Sequence, residues 1–104
     1  MLPTDPKARK AIPICTGCLD YFPLALAAIA RLSLKANEKH NPGEPLHWSR
    51  EKSKDHADCA VRHIMERGQI DPETGESYTV AAAWRLLALL QIEEEARISS
   101  KPGE

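Results

Sequence analysis

The sequence predicts an all-α fold, in which a small helical bundle is completed by oligomerisation. Three observations support this prediction. Residues 22–40 are almost all strong helix formers, and residues 53–67 carry apolar side chains at a spacing of three to four residues. Residues 79–97 are apolar around most of the circumference of a helix. Aromatic residues make up only 5% of the chain, so the core must consist mainly of Leu, Ile and Ala.

The first long helix is predicted to begin at Tyr21 and to end near His40. Asp20 is a good capping residue, and Pro23 is tolerated because it falls in the first turn. The segment 41–45, Asn-Pro-Gly-Glu-Pro, stops the helix because proline lacks an amide donor and glycine favours turns.

Two further helices follow the loop. Ser53 is the expected cap of the second helix, which runs to Arg67 and is closed by Gly68. Thr79 is the expected cap of the third, which runs to about Arg97.

The 104 residues are predicted to form a single domain, 1–104, near the lower end of the usual size range. Residues 1–19 contain three prolines and are predicted to be an extended arm, and residues 98–104 a polar tail. Neither a signal peptide nor a membrane span is recognisable, so we expect a cytoplasmic protein without membrane contact. The net charge of −1 argues against stable nucleic-acid binding.

The apolar composition of the third helix indicates oligomerisation. A helix that is apolar all round is normally buried all round, and the first helix is nearly as apolar. Three helices in a chain of this length cannot bury both. We therefore expect chains to share a bundle, as a homodimer or as a homotetramer built from two dimers.

Two acidic residues open the second helix and share one face. Asp55 and Asp58 are three residues apart, so both project from the first turn. The helix dipole alone explains such a pair, but clustered carboxylates are also the ligands that Mg²⁺ and Mn²⁺ prefer. The loop between antiparallel helices would bring Glu38, and with it Asn41, to face the pair. The sequence thus predicts a divalent metal site.

Basic side chains are dense around this junction. They are Lys35, Lys39, His40, His47, Arg50, Lys52 and Lys54. Acidic metal ligands surrounded by cations are typical of metal-assisted phosphoryl or pyrophosphoryl transfer.

The segment from Asn37 to Trp48, followed by Asp-His-Ala-Asp at 55–58 and by Arg62-His63, resembles the dATP/dGTP diphosphohydrolase family of phages and bacteria. That family belongs to the MazG-like all-α nucleotide pyrophosphohydrolases. The similarity covers most of the chain, from about Arg9 to Trp84 and the Leu-rich third helix.

The resemblance implies hydrolysis of a (deoxy)nucleoside triphosphate, with dGTP or dATP favoured, to monophosphate and pyrophosphate. It implies Mg²⁺ or Mn²⁺ as cofactor and an oligomer of helical bundles. Glu38, Asp55 and Asp58 are carried over as catalytic metal ligands, with Asn41 as a further ligand. The superfamily has Glu-x-x-Glu on the first helix, whereas this chain has Lys35 or Asn41 in place of one carboxylate.

Substrate contacts are predicted from the same neighbourhood. Candidates for the phosphates are Lys35, Arg50, Lys52, Lys54 and Arg62. His47 and Trp48 are candidates for the base or sugar pocket, although Trp48 serves equally well as a plug that holds the loop on the bundle. Trp84 is expected in the core.

A zinc-stapled binding module without catalysis is the alternative. Cys15 and Cys18 form a C-x-x-C motif, and Cys59 and His63 are four residues apart on the second helix. Together they offer the Cys₃His ligands of a structural zinc ion. A third possibility is a purely structural helical oligomer, in which Asp55 and Asp58 only cap a helix.

Overall fold

The structure is a computed structural model and describes residues 2–100. It contains four α-helices: α1 (Pro6–Lys10), α2 (Pro23–His40), α3 (His56–Met65) and α4 (Tyr78–Ser99). A π-helical turn at Cys15–Leu19 precedes α2, and a 3₁₀ turn at Arg50–Lys52 precedes α3. Among the described residues the only β-type pairing is an isolated bridge between Ile70 and Ser77. The all-α prediction is confirmed.

The start of α2 differs from the prediction, although its end agrees. The helix begins at Pro23, which suits the first position because its missing amide would have no helical partner there. Asp20 does not cap it. Its Oδ1 instead accepts a hydrogen bond from the Cys15 thiol, with the two atoms 3.6 Å apart. The helix ends at His40, as predicted.

The predicted caps of the other two long helices are also displaced. Ser53 follows the 3₁₀ turn, and α3 begins three residues later with Asp55 in the N-cap position. The Ser77 Oγ, not Thr79, caps α4 by accepting a hydrogen bond from the Val80 amide at 3.2 Å. Gly68 has a φ of +84°, as expected of a residue in the turn that follows a helix.

The N-terminal segment is not an extended arm. Asp5 and Pro6 make a favourable helix start, and the Asp5 Oδ2 accepts a hydrogen bond from the Ala8 amide at 2.9 Å. At the other end, α4 continues to Ser99, so the predicted tail begins later than residue 98. Residues 1 and 101–104 of these two segments lie outside the described residues.

Helix α4 organises the packing, because it contacts both α2 and α3 whereas those two helices make no comparable contact with each other. Among the described residues, five apolar residues are buried, and all of them except Leu32 are small. They are Leu32, Cys59, Ala60, Ala82 and Ala88. No large side chain among the described residues is fully buried. The core of one chain is therefore thin.

Much apolar surface stays uncovered in one chain. Leu24 is 85% exposed and Met65 77%, and Leu86 and Leu90 of α4 are about half exposed. The accessible surface is 7965 Å², whereas a compact monomer of this mass exposes about 5800 Å². The radius of gyration is 15.9 Å, against about 13 Å for a compact chain of this length.

The apolar character of the helices does not amount to a membrane span in any one of them. Among residues 2–100, no single helix is both long and apolar enough, and only the pair 6–19 and 23–40, bent by 87°, satisfies length and composition together.

Candidate functional site

The carboxylate pair lies at the start of α3, where the helix backbone positions both side chains. Asp55 is the N-cap residue and Asp58 belongs to the first turn. Both are exposed and line a small cavity together with Arg50 and Lys54. The pair thus faces solvent with cations at its edge, as expected for a site that receives a phosphorylated ligand.

The environment of Asp55 favours its ionised form. The Cys59 thiol donates a hydrogen bond to Asp55 Oδ2 at 3.4 Å, and an Arg62 guanidinium nitrogen lies 3.7 Å from the same oxygen. The Cys59 hydrogen bond, a backbone hydrogen bond and the charges of Arg85 and Arg62 lower the pKa of Asp55. Asp55 is therefore a carboxylate at neutral pH.

Within one chain the structure does not bring Glu38 to this pair. Glu38 is exposed in the last turn of α2, and residues 2–100 contain no group of three His, Cys, Asp or Glu side chains able to hold a metal ion. The prediction requires α2 and α3 to pack side by side, whereas each of these helices packs on α4. The role of Glu38 as a metal ligand stays a prediction.

Asn41 is buried in a polar network at the end of α2. Its Oδ1 accepts a hydrogen bond from Lys52 Nζ at 2.8 Å, and its Nδ2 donates to Asn37 Oδ1 at 3.2 Å. Asn37 Nδ2 in turn donates to the backbone oxygen of Glu44 at 3.2 Å. These bonds fasten the loop after α2 and engage the oxygen that Asn41 would offer to a metal.

The alternative Cys₃His set is not assembled within the described part of one chain. Cys15 and Cys18 are exposed on the π-helical turn, whereas Cys59 is buried on α3. Cys59 instead interacts with Asp55 and accepts a hydrogen bond from Arg62 at 3.1 Å.

A larger cavity of about 1040 Å³ lies between α2, the loop 41–53 and α4. Its volume suits a ligand of nucleotide size. Trp48 and Trp84 line it in an edge-to-face arrangement, with ring centroids 6.0 Å apart. The Trp84 indole donates a hydrogen bond to Ser33 Oγ at 2.8 Å. Trp84 is thus only partly buried and contributes to the cavity wall.

His56 completes the aromatic cluster. It is only 4% exposed, and its ring centroid lies 6.4 Å from that of Trp48 and 6.2 Å from that of Trp84. Burial and the charge of Arg85 lower the pKa of His56. A guanidinium nitrogen of Arg85 donates to Nδ1 at 3.1 Å, so the neutral ring carries its proton on Nε2. That nitrogen is buried and has no hydrogen-bond partner among residues 2–100.

A second histidine on the same side of α3 also lines the cavity. His63 follows His56 by seven residues, or two helical turns, and stacks on Tyr78 with the ring centroids 5.8 Å apart. Its Nδ1 is likewise buried, and no described residue forms a hydrogen bond with it. Two buried polar atoms beside one cavity are unusual, because such atoms normally have a partner in a folded protein.

Lys35, predicted to contact substrate, instead holds the loop before α4. Its Nζ donates to Glu76 Oε2 at 2.8 Å, and Arg31 Nε donates to the same oxygen at 3.1 Å. These hydrogen bonds from Arg31 and Lys35 lower the pKa of Glu76 to about 2. One turn further along α2, Lys39 pairs with Glu73. The basic face of α2 is therefore largely neutralised.

Of the other predicted phosphate contacts, most already have partners. Arg50 pairs with Glu95 at 2.6 Å and stacks over Trp48 at 4.2 Å, while Lys52 and Arg62 make the bonds described above. Among residues 2–100, the Lys54 ammonium group makes no hydrogen bond or ion pair, and Lys54 borders the carboxylate pair.

His47 is occupied within its own loop and lines the larger cavity. Its Nδ1 donates to the backbone oxygen of Pro45 at 2.8 Å, and its Nε2 lies 3.1 Å from Ser49 Oγ.

The fold and site define a class of protein: an all-α domain with a carboxylate pair at a helix start, beside an aromatic cavity of nucleotide size. A family model described as dATP/dGTP diphosphohydrolase, N-terminal, matches residues 7–101. The chain belongs to this family, whose name supports hydrolase activity at a coarse level. Comparison with curated proteins and with solved structures found no significant match.

Sequence reasoning missed three residues that shape the site: His56, Glu76 and Arg85. A signal existed for Arg85, because it is the only charged residue between positions 78 and 92 of an apolar helix. A weaker one existed for His56, since its spacing from His63 predicts a shared helix face. Glu76 gave none, because its partners are 41 and 45 residues away.

Proposed function

We propose that this protein hydrolyses a purine deoxynucleoside triphosphate, dGTP or dATP, to the monophosphate and pyrophosphate with Mg²⁺ or Mn²⁺. The observation that carries the proposal is the exposed pair Asp55 and Asp58, bordered by cations and adjacent to the aromatic cavity, in a chain of this family. In this proposal the base occupies the cavity and the polyphosphate extends towards the pair.

The chemistry of the donors is compatible with such a metal. Mg²⁺ is commonly held by only one or two carboxylates, and takes its remaining oxygen ligands from water and from the substrate phosphates. Asp55 and Asp58 would supply the carboxylates, and the low pKa of Asp55 keeps it ionised. When bound, the metal would neutralise charge on the phosphates and lower the pKa of a water molecule.

The chain's own residues account for binding and orientation. Lys54 is available to a phosphate, and Arg62 stabilises the charge of Asp55. Trp48 and Trp84 offer ring surfaces to a purine, in keeping with the stacking of bases on aromatic side chains. The Asn37–Asn41–Lys52 network holds the loop that carries Trp48.

Oligomerisation is part of the proposal. One chain exposes roughly 2000 Å² more than a compact monomer, and a typical interface buries about 800 Å² from each partner. A homodimer or homotetramer would cover this surface. In this proposal, Glu38 of a second chain completes the metal site beside the pair. The working form is expected in the cytoplasm, where triphosphates are available.

The test is direct turnover. Each of the four deoxynucleoside triphosphates is incubated with the full chain and Mg²⁺ or Mn²⁺, and pyrophosphate and monophosphate are measured. We expect turnover of a purine triphosphate. Asp55→Asn and Asp58→Asn should each lower kcat on the order of 100-fold or more, because each removes a ligand charge.

Glu93→Gln is the matched control, since it removes an exposed carboxylate of α4 outside the cavity. It should leave kcat unchanged. Absence of turnover with every triphosphate and both metals would refute the activity, and full activity of both Asp variants would refute the site.

A further inference from the structure

Arg85 is an unusual residue in its helix. It is the only charge among residues 78–92 of α4, and its side chain is partly buried. Among the ion pairs of residues 2–100, none joins Arg85 to a carboxylate, whereas Arg31, Arg50 and Arg62 each have one. Arg85 interacts with the charge of Asp55 only at longer range, and a partly buried cation without a direct ion pair is costly, so its presence here calls for an explanation.

The contacts that Arg85 does make orient the guanidinium without neutralising it. One nitrogen donates to His56 Nδ1 at 3.1 Å, and the guanidinium lies 5.8 Å from the centroid of the Trp84 ring. The acceptor is an imidazole nitrogen, which brings no negative charge. The remaining N–H groups keep their capacity to donate, and guanidinium geometry matches two oxygens of a phosphate.

The position of Arg85 relates the two parts of the candidate site. The residue lines the larger cavity, while its partner His56 follows Asp55 directly in the chain and lines both cavities. The buried Nε2 of His56, which has no hydrogen-bond partner in the described part of the chain, is a second sign that a polar ligand group belongs here.

From this geometry we propose that Arg85 binds a phosphate group of the substrate, and that His56 is the positioning residue that holds the guanidinium. The identity of the anion as a nucleoside triphosphate rests on the proposed function; the anion site itself does not. Arg85 then supplies the cation that Lys35 and Arg50, both engaged by glutamates, do not offer.

The first experiment measures binding of inorganic tripolyphosphate by calorimetry with EDTA present, so that no metal contributes. Arg85→Gln should weaken binding about 10-fold or more, because it removes charged hydrogen bonds. Arg85→Lys should recover only part of the affinity, since an ammonium group lacks the planar fork. Arg67→Gln is the matched control, because Arg67 is exposed and its guanidinium bonds, within residues 2–100, only to the Ile64 backbone oxygen. This variant should bind like the wild type.

The second experiment measures turnover of the preferred triphosphate by the same variants. Arg85→Gln should raise KM by a similar factor. His56→Phe keeps a ring but removes the acceptor, so it should raise KM by a smaller factor than Arg85→Gln does. It should affect the binding of a deoxynucleoside without phosphates less than it affects KM for the triphosphate. Circular dichroism and sedimentation verify that each variant keeps its fold and assembly.

The two proposals fail in distinguishable ways. Tripolyphosphate binding that depends on Arg85, without turnover of any nucleotide, would support the anion site and refute the enzyme. Turnover with an unchanged KM and unchanged tripolyphosphate affinity in Arg85→Gln would overturn the inference and leave the enzyme intact. A change in oligomeric state with unaltered affinity would also overturn it, by assigning Arg85 to a subunit contact.

Discussion

Glu76 shows how two cations from one helix determine the behaviour of a single carboxylate. Its side chain is 10% exposed and accepts hydrogen bonds from Arg31 and Lys35, which lie one turn apart on α2. These bonds stabilise the ionised form and lower the pKa from 4.5 to about 2. The loop before α4 is thereby tied to α2.

The depressed pKa predicts an acid-dependent loss of stability. The contribution of Glu76 is complete above pH 4.5, where the carboxylate is ionised in folded and unfolded chains alike, and is lost as the pH falls to about 2. In thermal unfolding from pH 7 to pH 2, Glu76→Gln should have a lower Tm than the wild type at neutral pH. The difference should shrink between pH 4.5 and pH 2. Glu93→Gln should show no such trend, and a pH-independent difference for Glu76→Gln would contradict the prediction.

At the residue scale, side-chain positions that depend on local spacing are predictable from the sequence. Side-chain partners that depend on tertiary contacts are not. The interval of three residues placed Asp55 and Asp58 on one helix turn, and the structure has them there. The engagement of Lys35 by Glu76 joins residues 41 positions apart. No local pattern encodes such a contact, so the sequence alone predicts that Lys35 is available to substrate.

At the scale of helices, one hydrogen bond joins α2 to α4 beside the cavity. The Trp84 indole donates to Ser33 Oγ at 2.8 Å, and both residues are partly buried. Trp84→Phe removes the donor and Ser33→Ala the acceptor. Each should lower the free energy of unfolding by about 1 kcal/mol for the hydrogen bond, with a further loss of packing for Trp84→Phe.

A double-mutant cycle in urea checks this coupling. The two changes together should cost less than the sum of the single changes, because the hydrogen bond is lost only once. Strict additivity would show that the bond contributes nothing. Ser49→Ala offers a comparison, since its hydroxyl interacts with His47 rather than with another helix.

The helix ends show where sequence signals compete. Several capping residues lie near each predicted start, and the choice among them depends on tertiary position. Helix α2 begins at Pro23 and is not capped by Asp20, and α4 is capped by Ser77 rather than by Thr79. Asp5 and Pro6 form a helix start, but the other prolines of this segment favour the prediction of an extended arm. The long helices themselves were predictable because their composition extends over several turns.

At the scale of the whole molecule, the uncovered apolar surface predicts self-association. Leu86 and Leu90 lie one turn apart on α4 and are about half exposed. The wild type should sediment as a dimer or tetramer at micromolar concentration. Leu86→Glu and Leu90→Glu should shift it towards monomer, because a charge in an apolar interface lacks a partner.

Thr79→Glu is the control, since it adds the same charge at an exposed position of the same helix and should leave the assembly unchanged. A monomeric wild type at micromolar concentration would contradict the prediction.

Assembly also limits how much of the candidate site can be predicted from the sequence of one chain. The prediction of one site for Glu38 and the pair at 55 and 58 depends on α2 and α3 being neighbours, an arrangement one chain does not adopt.

The contact between Trp48 and Trp84 has an optical consequence. These are the two tryptophans of the chain, and their rings lie 6.0 Å apart. All indole emission therefore originates at the junction of the 41–53 loop with α4, next to His56 and the Arg50 guanidinium. A change in tryptophan fluorescence on adding a ligand reports on this junction, so the unlabelled protein carries a built-in sensor of its own cavity.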